Sequence, residues 1–242
     1  DDDSEAVGGN AGNEMTKDSV GTNDLVAFGS PIYSTNAPSA GGAFSMAFDG
    51  ASYYSGISEG FTNLYGNLDF NNFSLSCDVN VTALGASGFS FPVSMGKNGG
   101  GFSIVEIGGN WYILHQTIGQ SAAGFPVALN TWTHLELQRR QFGGVIQSRL
   151  FVNGVDVGVQ LNAGPALPIT PLLTVGANMT GDGVTPEGLF NGLIDNVVLH
   201  NYSLGNKPAL VSGPTAAPDT TVLTGESLTL TASAAGGTPL VV

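Results

Sequence analysis

Positive charge is nearly missing from this sequence. Six Lys plus Arg stand against 19 Asp plus Glu in 242 residues, a net charge of −13. A nucleic-acid groove needs clustered cations, and Arg139, Arg140 and Arg149 are too few to build one. Anionic membrane surfaces are disfavoured for the same reason, and no apolar run reaches bilayer-spanning length, so membrane insertion is not expected. Cysteine is down to Cys77, which excludes an intrachain disulfide. No signal-peptide pattern stands at Asp1 and the text stops abruptly after Val242. The chain is therefore expected to be a piece of something longer.

Helical periodicity is missing too, since no segment holds an apolar spacing of 3.6 over three turns. After Asp24 no two acidic residues lie within four positions of each other, and Glu106, Glu136, Asp156 and Asp195 are each isolated. Glycoside hydrolysis needs a carboxylate pair at a fixed separation, so this spacing argues against it and no catalytic residue is assigned. No G-x-S-x-G elbow occurs. His115, His134 and His200 sit in separate strands with no second ligand at i+2 or i+4, and read as half-buried strand residues rather than transition-metal ligands. Gly99-Gly100-Gly101 does not open a helix, so the phosphate-cradle reading fails.

What is present is the text of an all-β protein. The chain is 42% hydrophobic and only 10% charged, with 36 Gly, so turns are frequent and elements short. Ala43–Tyr54 alternates with period two toward an Asp49-Gly50 turn. In Phe73–Val81 alternation puts Phe73, Leu75, Cys77, Val79 and Val81 on one face, making Cys77 a small core residue rather than a reactive thiol. Phe89–Met95 and Gly101–Ile107 form a pair, followed by Trp111–Gln116 and Asn130–Arg139. Arg149–Val159 reads as a hairpin turning at Asn153-Gly154, the preferred type I′ pair. Leu172–Gly176 and Leu193–His200 complete the set. Residues 1–15 form an acidic, Gly-rich tail, 206–219 a Pro-punctuated linker.

The order of these segments resembles the laminin-G-like, concanavalin-A-like jelly rolls. The resemblance rests on D-S-V-G-T-N-D-L (Asp18–Leu25), F-D-G followed by aromatics, W-T-H-L at Trp132, L-F-V-N-G at Leu150, and the closing F-N-G-L-I-D-N-V at Phe190. It covers residues 16–205 and implies a two-sheet antiparallel sandwich. Hydrolases on that fold carry E-x-D-x-x-E on one strand, which this chain lacks. Residues 220–242, with V-L-T-G-E-S-L-T-L-T, resemble the beginning of a bacterial immunoglobulin-like domain that stops before its Trp strand.

The resemblance implies non-catalytic extracellular recognition or adhesion, with a glycan or a cell-surface or virion protein as partner. For glycan binding the expected residues are Trp111, Tyr112, Asn110 and Tyr54, aromatics to stack on sugar faces beside a carboxamide. Trp111, following Gly-Gly-Asn at a hairpin, is read as the most exposed, and Trp132 as core. Tyr53, Tyr65 and Tyr202 complete the aromatic pool.

Calcium is the inorganic candidate, because the ion takes six to eight oxygens that edge loops can supply. Asn178, Asp182 and Glu187 occupy the place of the pentraxin calcium loop, just before the closing strand. The same residues are also good turn formers for a solvated hairpin, and both readings stay open. Asp18 and Asp24 with Asp49 form a second, weaker group, and Asp195 is read as bracing the sheet. N-x-S/T sequons occur at Asn72, Asn80, Asn178 and Asn201. Three functions fit this text: a non-catalytic, lectin-like module of a larger surface protein; a structural part of a virion or filament, which a homo-oligomer would accompany; and an accessory domain of a carbohydrate-active enzyme. An extracellular or cell-surface location without disulfides fits a bacterial or phage protein, with a virion surface as the alternative.

Overall fold

The computed structural model describes residues 15–16, 25–39, 42–56, 68–116, 119–120, 124–161, 172–200, 209–217 and 229–235. Their regular structure is all strand. It begins with β1 (Met15–Thr16), β2 (Leu25–Phe28), β3 (Ile32–Ser34), β4 (Ser45–Asp49), β5 (Tyr53–Ser55), β6 (Phe73–Ala83) and β7 (Phe89–Lys97). There follow β8 (Gly100–Ile107), β9 (Asn110–His115), β10 (Gly119–Gln120), β11 (Phe125–Pro126), β12 (Trp132–Phe142), β13 (Val145–Val152) and β14 (Val155–Leu161). The last are β15 (Leu173–Val175), β16 (Asn178–Met179), β17 (Pro186–Glu187), β18 (Asn191–His200), β19 (Ala209–Ala217) and β20 (Thr229–Ala235).

Two antiparallel sheets make a jelly-roll sandwich. One has nine strands, in the order β1-β2-β5-β15-β7-β8-β9-β10 with β11 also on β9; the other has seven, β14-β13-β12-β6-β18-β4-β3. Alternation places the core between them. Phe73, Leu75, Cys77, Val79 and Val81 on β6 and Leu135 and Leu137 on β12 are all at most 1% exposed, and they meet Val93, Met95, Phe102, Ile104, Trp111 and Ile113 of the nine-stranded sheet. Burial pushes the Cys77 thiol far above its usual range, so it stays an inert core residue. Arg139 also enters this core. Its Nε donates to Phe70 O at 2.8 Å and its guanidinium lies 5.4 Å from the Phe102 ring centroid.

The hairpin at Asn153-Gly154 turns as expected, with φ of 51° and 80°, the left-handed pair of a type I′ turn. A second such pair, Gly143-Gly144 with φ of 56° and 88°, joins β12 to β13, so the hairpin begins at Val145 rather than Arg149. The alternating Ala43–Tyr54 run also divides. Asp49 accepts from Ala51 N at 2.9 Å and Ser52 Oγ at 2.8 Å, and that turn sends β4 to one sheet and β5 to the other.

Residues 209–217, read from sequence as linker, form β19 and pair antiparallel with β20, with a register shift around Pro214, which has no N–H to give a ladder. The rest of the immunoglobulin-like segment lies outside the described residues, as do the 1–14 tail, Asp18–Asp24, Tyr65, Asn201 and Tyr202.

Candidate functional site

The outer face of the nine-stranded sheet is apolar on one side and carries a small hairpin, β16–β17, on the other. Phe89 stands opposite Ile107, and the next outward row holds Phe91 with Val105 and Tyr112. Pro92 falls in the register shift between Ser90 and Val93, where a residue without an N–H leaves no ladder bond unmade. Phe89, Phe91, Val105, Ile107 and Leu114 floor a groove of about 360 Å³, and its rim is Asn98, Gln116, Asn178 and Glu187. Gly188 closes down on the floor. Its φ is +57°, and a Cβ there would stand 2.6 Å from Phe91 Cδ2 and 2.7 Å from Phe89 Cδ2.

A hydrogen-bond network of amides, hydroxyls and one carboxylate fixes the rim. Asn178 Oδ1 accepts from Ser94 Oγ at 2.7 Å and Gln116 Nε2 at 3.0 Å, while Asn178 Nδ2 donates to Glu187 Oε1 at 2.8 Å and Gln116 Oε1 at 3.2 Å. Gln116 Nε2 also donates to Ser103 Oγ at 2.8 Å. Asn178 is 1% exposed and pinned on both sides of its carboxamide, so the two amides are held in one orientation.

Of the four glycan candidates, the structure brings two to this face. Tyr112 sits in the Phe91–Val105 row, and Asn110 precedes it on the same face; both are half-buried and border Gly124, where a Cβ would meet Tyr112 Cζ at 2.7 Å and Asn110 Cβ at 2.8 Å. Trp111 and Tyr54 require correction. Trp111 is 1% exposed: β9 starts its alternation at Asn110, so Trp111 points inward between Glu106 and Phe125. Tyr54 is 3% exposed and meets Phe48 edge-on at 6.0 Å. Neither is a surface platform. Trp132, expected in the core, is instead half-buried on the outer face of the seven-stranded sheet, its indole N–H donating to Asn36 Oδ1 at 3.0 Å.

The calcium candidates come together only in part. Asn178 and Glu187 are register partners across the β16–β17 hairpin. Asp182 stands at its tip, where Oδ1 accepts from Thr180 Oγ1, Val184 N and Thr185 N and Oδ2 from Thr185 Oγ1. Those bonds, the Thr185 hydroxyl foremost, hold its carboxyl well below the usual carboxylate range. A calcium ion in this loop would share oxygens that already serve protein donors. Among the described residues no three His, Cys, Asp or Glu side chains are grouped to hold a metal.

Sequence spacing missed a cluster on the opposite surface. His134, Asp78 and Asp195 are direct neighbours across β12, β6 and β18 on the outer face of the seven-stranded sheet, and Glu136 follows His134 on that face. His134 Nδ1 lies 2.7 Å from Asp78 Oδ1. Asn196, at φ 49° within the register shift of β18, donates Nδ2 to Asp78 Oδ2 at 2.7 Å. Asp195, expected to brace the sheet, accepts from Asn196 N at 2.7 Å and is 5% exposed. The hydrogen bond to Asp78 raises the His134 imidazole against its burial, aided by the charges of Asp78 and Glu136. Burial pushes the Asp78 carboxyl up, but the bonds from His134 and Asn196 overcome it and leave the group below its ordinary value. His115 behaves oppositely: buried in the core near Arg139, its pKa is lowered to about 4.

A family profile described as the concanavalin A-like lectin/glucanases superfamily, in its laminin G-like branch, matches residues 55–207. The chain belongs to that family. No curated protein matches the sequence. Among solved structures, this concanavalin A-like chain is similar to domain 4 of AbnA, an extracellular arabinanase of Geobacillus stearothermophilus in complex with arabinotriose. The TM-score is 0.57 at 16% identity, covering 81% of this chain and 91% of that one. It is also similar to botulinum neurotoxin type C, whose cell entry depends on two ganglioside molecules, with TM-score 0.54, 14% identity and 78% and 47% of the two chains covered. A third is the binding domain of botulinum neurotoxin DC in complex with rat synaptotagmin II, with TM-score 0.53, 14% identity and 78% and 48% covered. The chain spans about half the length of the toxin structures it matches. At these identities the likeness is one of fold.

Proposed function

We propose that this protein is a non-catalytic carbohydrate-binding module of an extracellular or cell-surface protein, with its sugar site in the groove beside the β16–β17 hairpin. The observation that carries the reading is the pairing of a Phe89–Phe91–Val105–Leu114 floor with a fixed carboxamide pair, Gln116 and Asn178, and the Glu187 carboxylate. Sugars have an apolar face of C–H groups and a rim of hydroxyls, so a floor that excludes water beside oriented amides suits both. The groove lining holds one carboxylate and no cation, which favours neutral oligosaccharides over sialylated or uronic ones. Structural neighbours that bind arabinotriose or gangliosides support the reading by analogy of fold.

Isothermal titration against neutral and acidic oligosaccharides tests it. A neutral ligand whose affinity falls at least tenfold, about 1.4 kcal/mol, in Phe89→Ala and Gln116→Ala supports the site, and unchanged affinity in both removes it. Incubation with polysaccharides is expected to release no reducing ends.

A second reading, a structural part of a virion or filament, has one observation in its favour. Trp132, Phe125, Pro126, Val152, Val155 and Val157 line an apolar recess of about 390 Å³, and Val155 is 63% exposed. Apolar surface gathered in one patch suits a protein contact, and a concentration-dependent oligomer that Val155→Asp dissolves would support it.

A further inference from the structure

The rim of the groove has spent most of its donors. Asn178 gives one side-chain N–H to Gln116 Oε1 and the other to Glu187 Oε1. Gln116 Nε2, with two hydrogens, faces three acceptors: Ser94 Oγ, Ser103 Oγ and Asn178 Oδ1. What these three side chains still offer accepts rather than donates. It is the second lone pair of Gln116 Oε1, and Glu187 Oε2, which no donor among the described residues engages. The exposed Asn98 is the lining side chain with N–H groups left to give.

The Glu187 carboxylate is half-buried, lines the groove and has no cation beside it. The ion pairs among the described residues are His134–Asp78 and Arg149–Asp156, and Lys97 Nζ is engaged with Gly181 O at 2.8 Å. The hairpin that carries Glu187 is tied to the sheet on both strands: Asn98 N donates to Met179 O and Phe91 N to Gly188 O, each at 2.8 Å. With Oε1 held by Asn178, the free oxygen keeps its place beside the apolar floor. A fixed carboxylate oxygen gains from a donor, and its charge strengthens the bond. A sugar hydroxyl supplies that donor while its ring covers the floor, without stripping the water from a strongly hydrated ammonium.

We propose that Glu187 sets the specificity of the groove, an inference that rests on the groove being the sugar site: Glu187 Oε2 accepts from the ligand's hydroxyls, so the site reads O–H donors and rejects sugars that bring acceptors alone. A site built to bond a hydroxyl discriminates strongly against an analogue without it. The probes are maltotriose, cellotriose, xylotriose and mannotriose, titrated calorimetrically into the full chain, and the tightest is carried forward with its O-permethylated form, which keeps every acceptor and loses every donor. The parent sugar binds, and affinity falls at least tenfold for the permethylated form and for the isosteric Glu187→Gln, which keeps the acceptor for Asn178. Asp156→Asn, which removes the same charge from the other sheet, leaves affinity unchanged. The permethylated arm needs no variant, so the test stays decisive if Glu187→Gln does not fold. Binding that Phe89→Ala abolishes but the folded Glu187→Gln retains, or a permethylated sugar as tight as its parent, overturns the role of Glu187 and leaves the groove standing. No binding of any of the four sugars, or binding indifferent to Phe89→Ala, removes the groove reading and this proposal with it. A glucosamine trimer at least tenfold tighter than the neutral sugars would assign the carboxylate to an ammonium and also overturns it.

Discussion

The two outer faces of the sandwich solve the same problem in opposite ways. Beside the β16–β17 hairpin, polar groups are mutually bonded: Ser94, Ser103, Gln116, Asn178 and the Glu187 carboxylate close a network beside an apolar floor. Across the molecule, β6, β12 and β18 bring together Asp78, Asp195, Glu136 and His134, and Glu136 Oε1 is buried without a hydrogen-bond partner. A satisfied network rigidifies a surface, whereas an unsatisfied charge is tolerated mainly where it has a use. The groove sets a bonded polar rim beside an apolar floor, whereas the opposite face gathers three carboxylates around one histidine.

The largest expected effect tests what the faces share. Phe73 is 0% exposed and meets Phe102 edge-on at 5.0 Å. Phe73→Ala should lower stability by about 3–5 kcal/mol, read by denaturant unfolding, and should weaken both faces together. A loss at only one face would show that the sheets do not share one core.

Asn178→Ala separates them. It leaves Ser94, Gln116 and Glu187 short of a partner, with an expected loss of roughly 1–3 kcal/mol. Hydrogen exchange should quicken in the hairpin and at Ser94, while the His134–Asp78 pair keeps its titration. Uniform loss of protection over both sheets would contradict this division.

The two histidines sharpen the comparison by pH. His134 has a raised pKa, so its pairing stabilises the fold fully below its unfolded value of 6.5 and is lost as pH rises through the folded value. His115 is depressed to about 4, so the unfolded chain takes up a proton that the fold refuses, and stability is lost as pH falls from 6.5 toward about 4. Asp78, depressed below 3.8, contributes above that pH and loses its share as pH falls through its folded value. NMR titration should find His134 protonating above 6.5 and His115 still neutral at pH 5; the reverse order would refute these environments.

The smallest effect concerns calcium. With the Asp182 oxygens bonded within their own loop, the melting temperature is expected to move little between millimolar calcium and chelator. A clear upward shift that Asp182→Ala removes would place an ion in the hairpin.

The sandwich was legible because its cause is local. Alternation in Phe73–Val81 needs no partner to be read, and the Asn153-Gly154 turn carries its own signal. Trp111 was misplaced because its inward direction depends on which residue after Gly109 begins β9. The acidic face could not be read at all. Its carboxylates are far apart in sequence, and they meet only through the registers of three strands and a bulge at Asn196. The groove combines Phe89 and Leu114 with a hairpin some 60 residues further on, as in the Gln116–Asn178 bond with a separation of 62, a conjunction no local pattern encodes.

The most direct test of the sugar-binding claim is an NMR titration of the labelled protein with the neutral oligosaccharide that binds best by calorimetry. The account predicts that shifts concentrate at Phe89, Val105, Leu114, Gln116 and Asn178 and vanish in Phe89→Ala. Saturable binding whose shifts fall on other residues and persist in Phe89→Ala would contradict it.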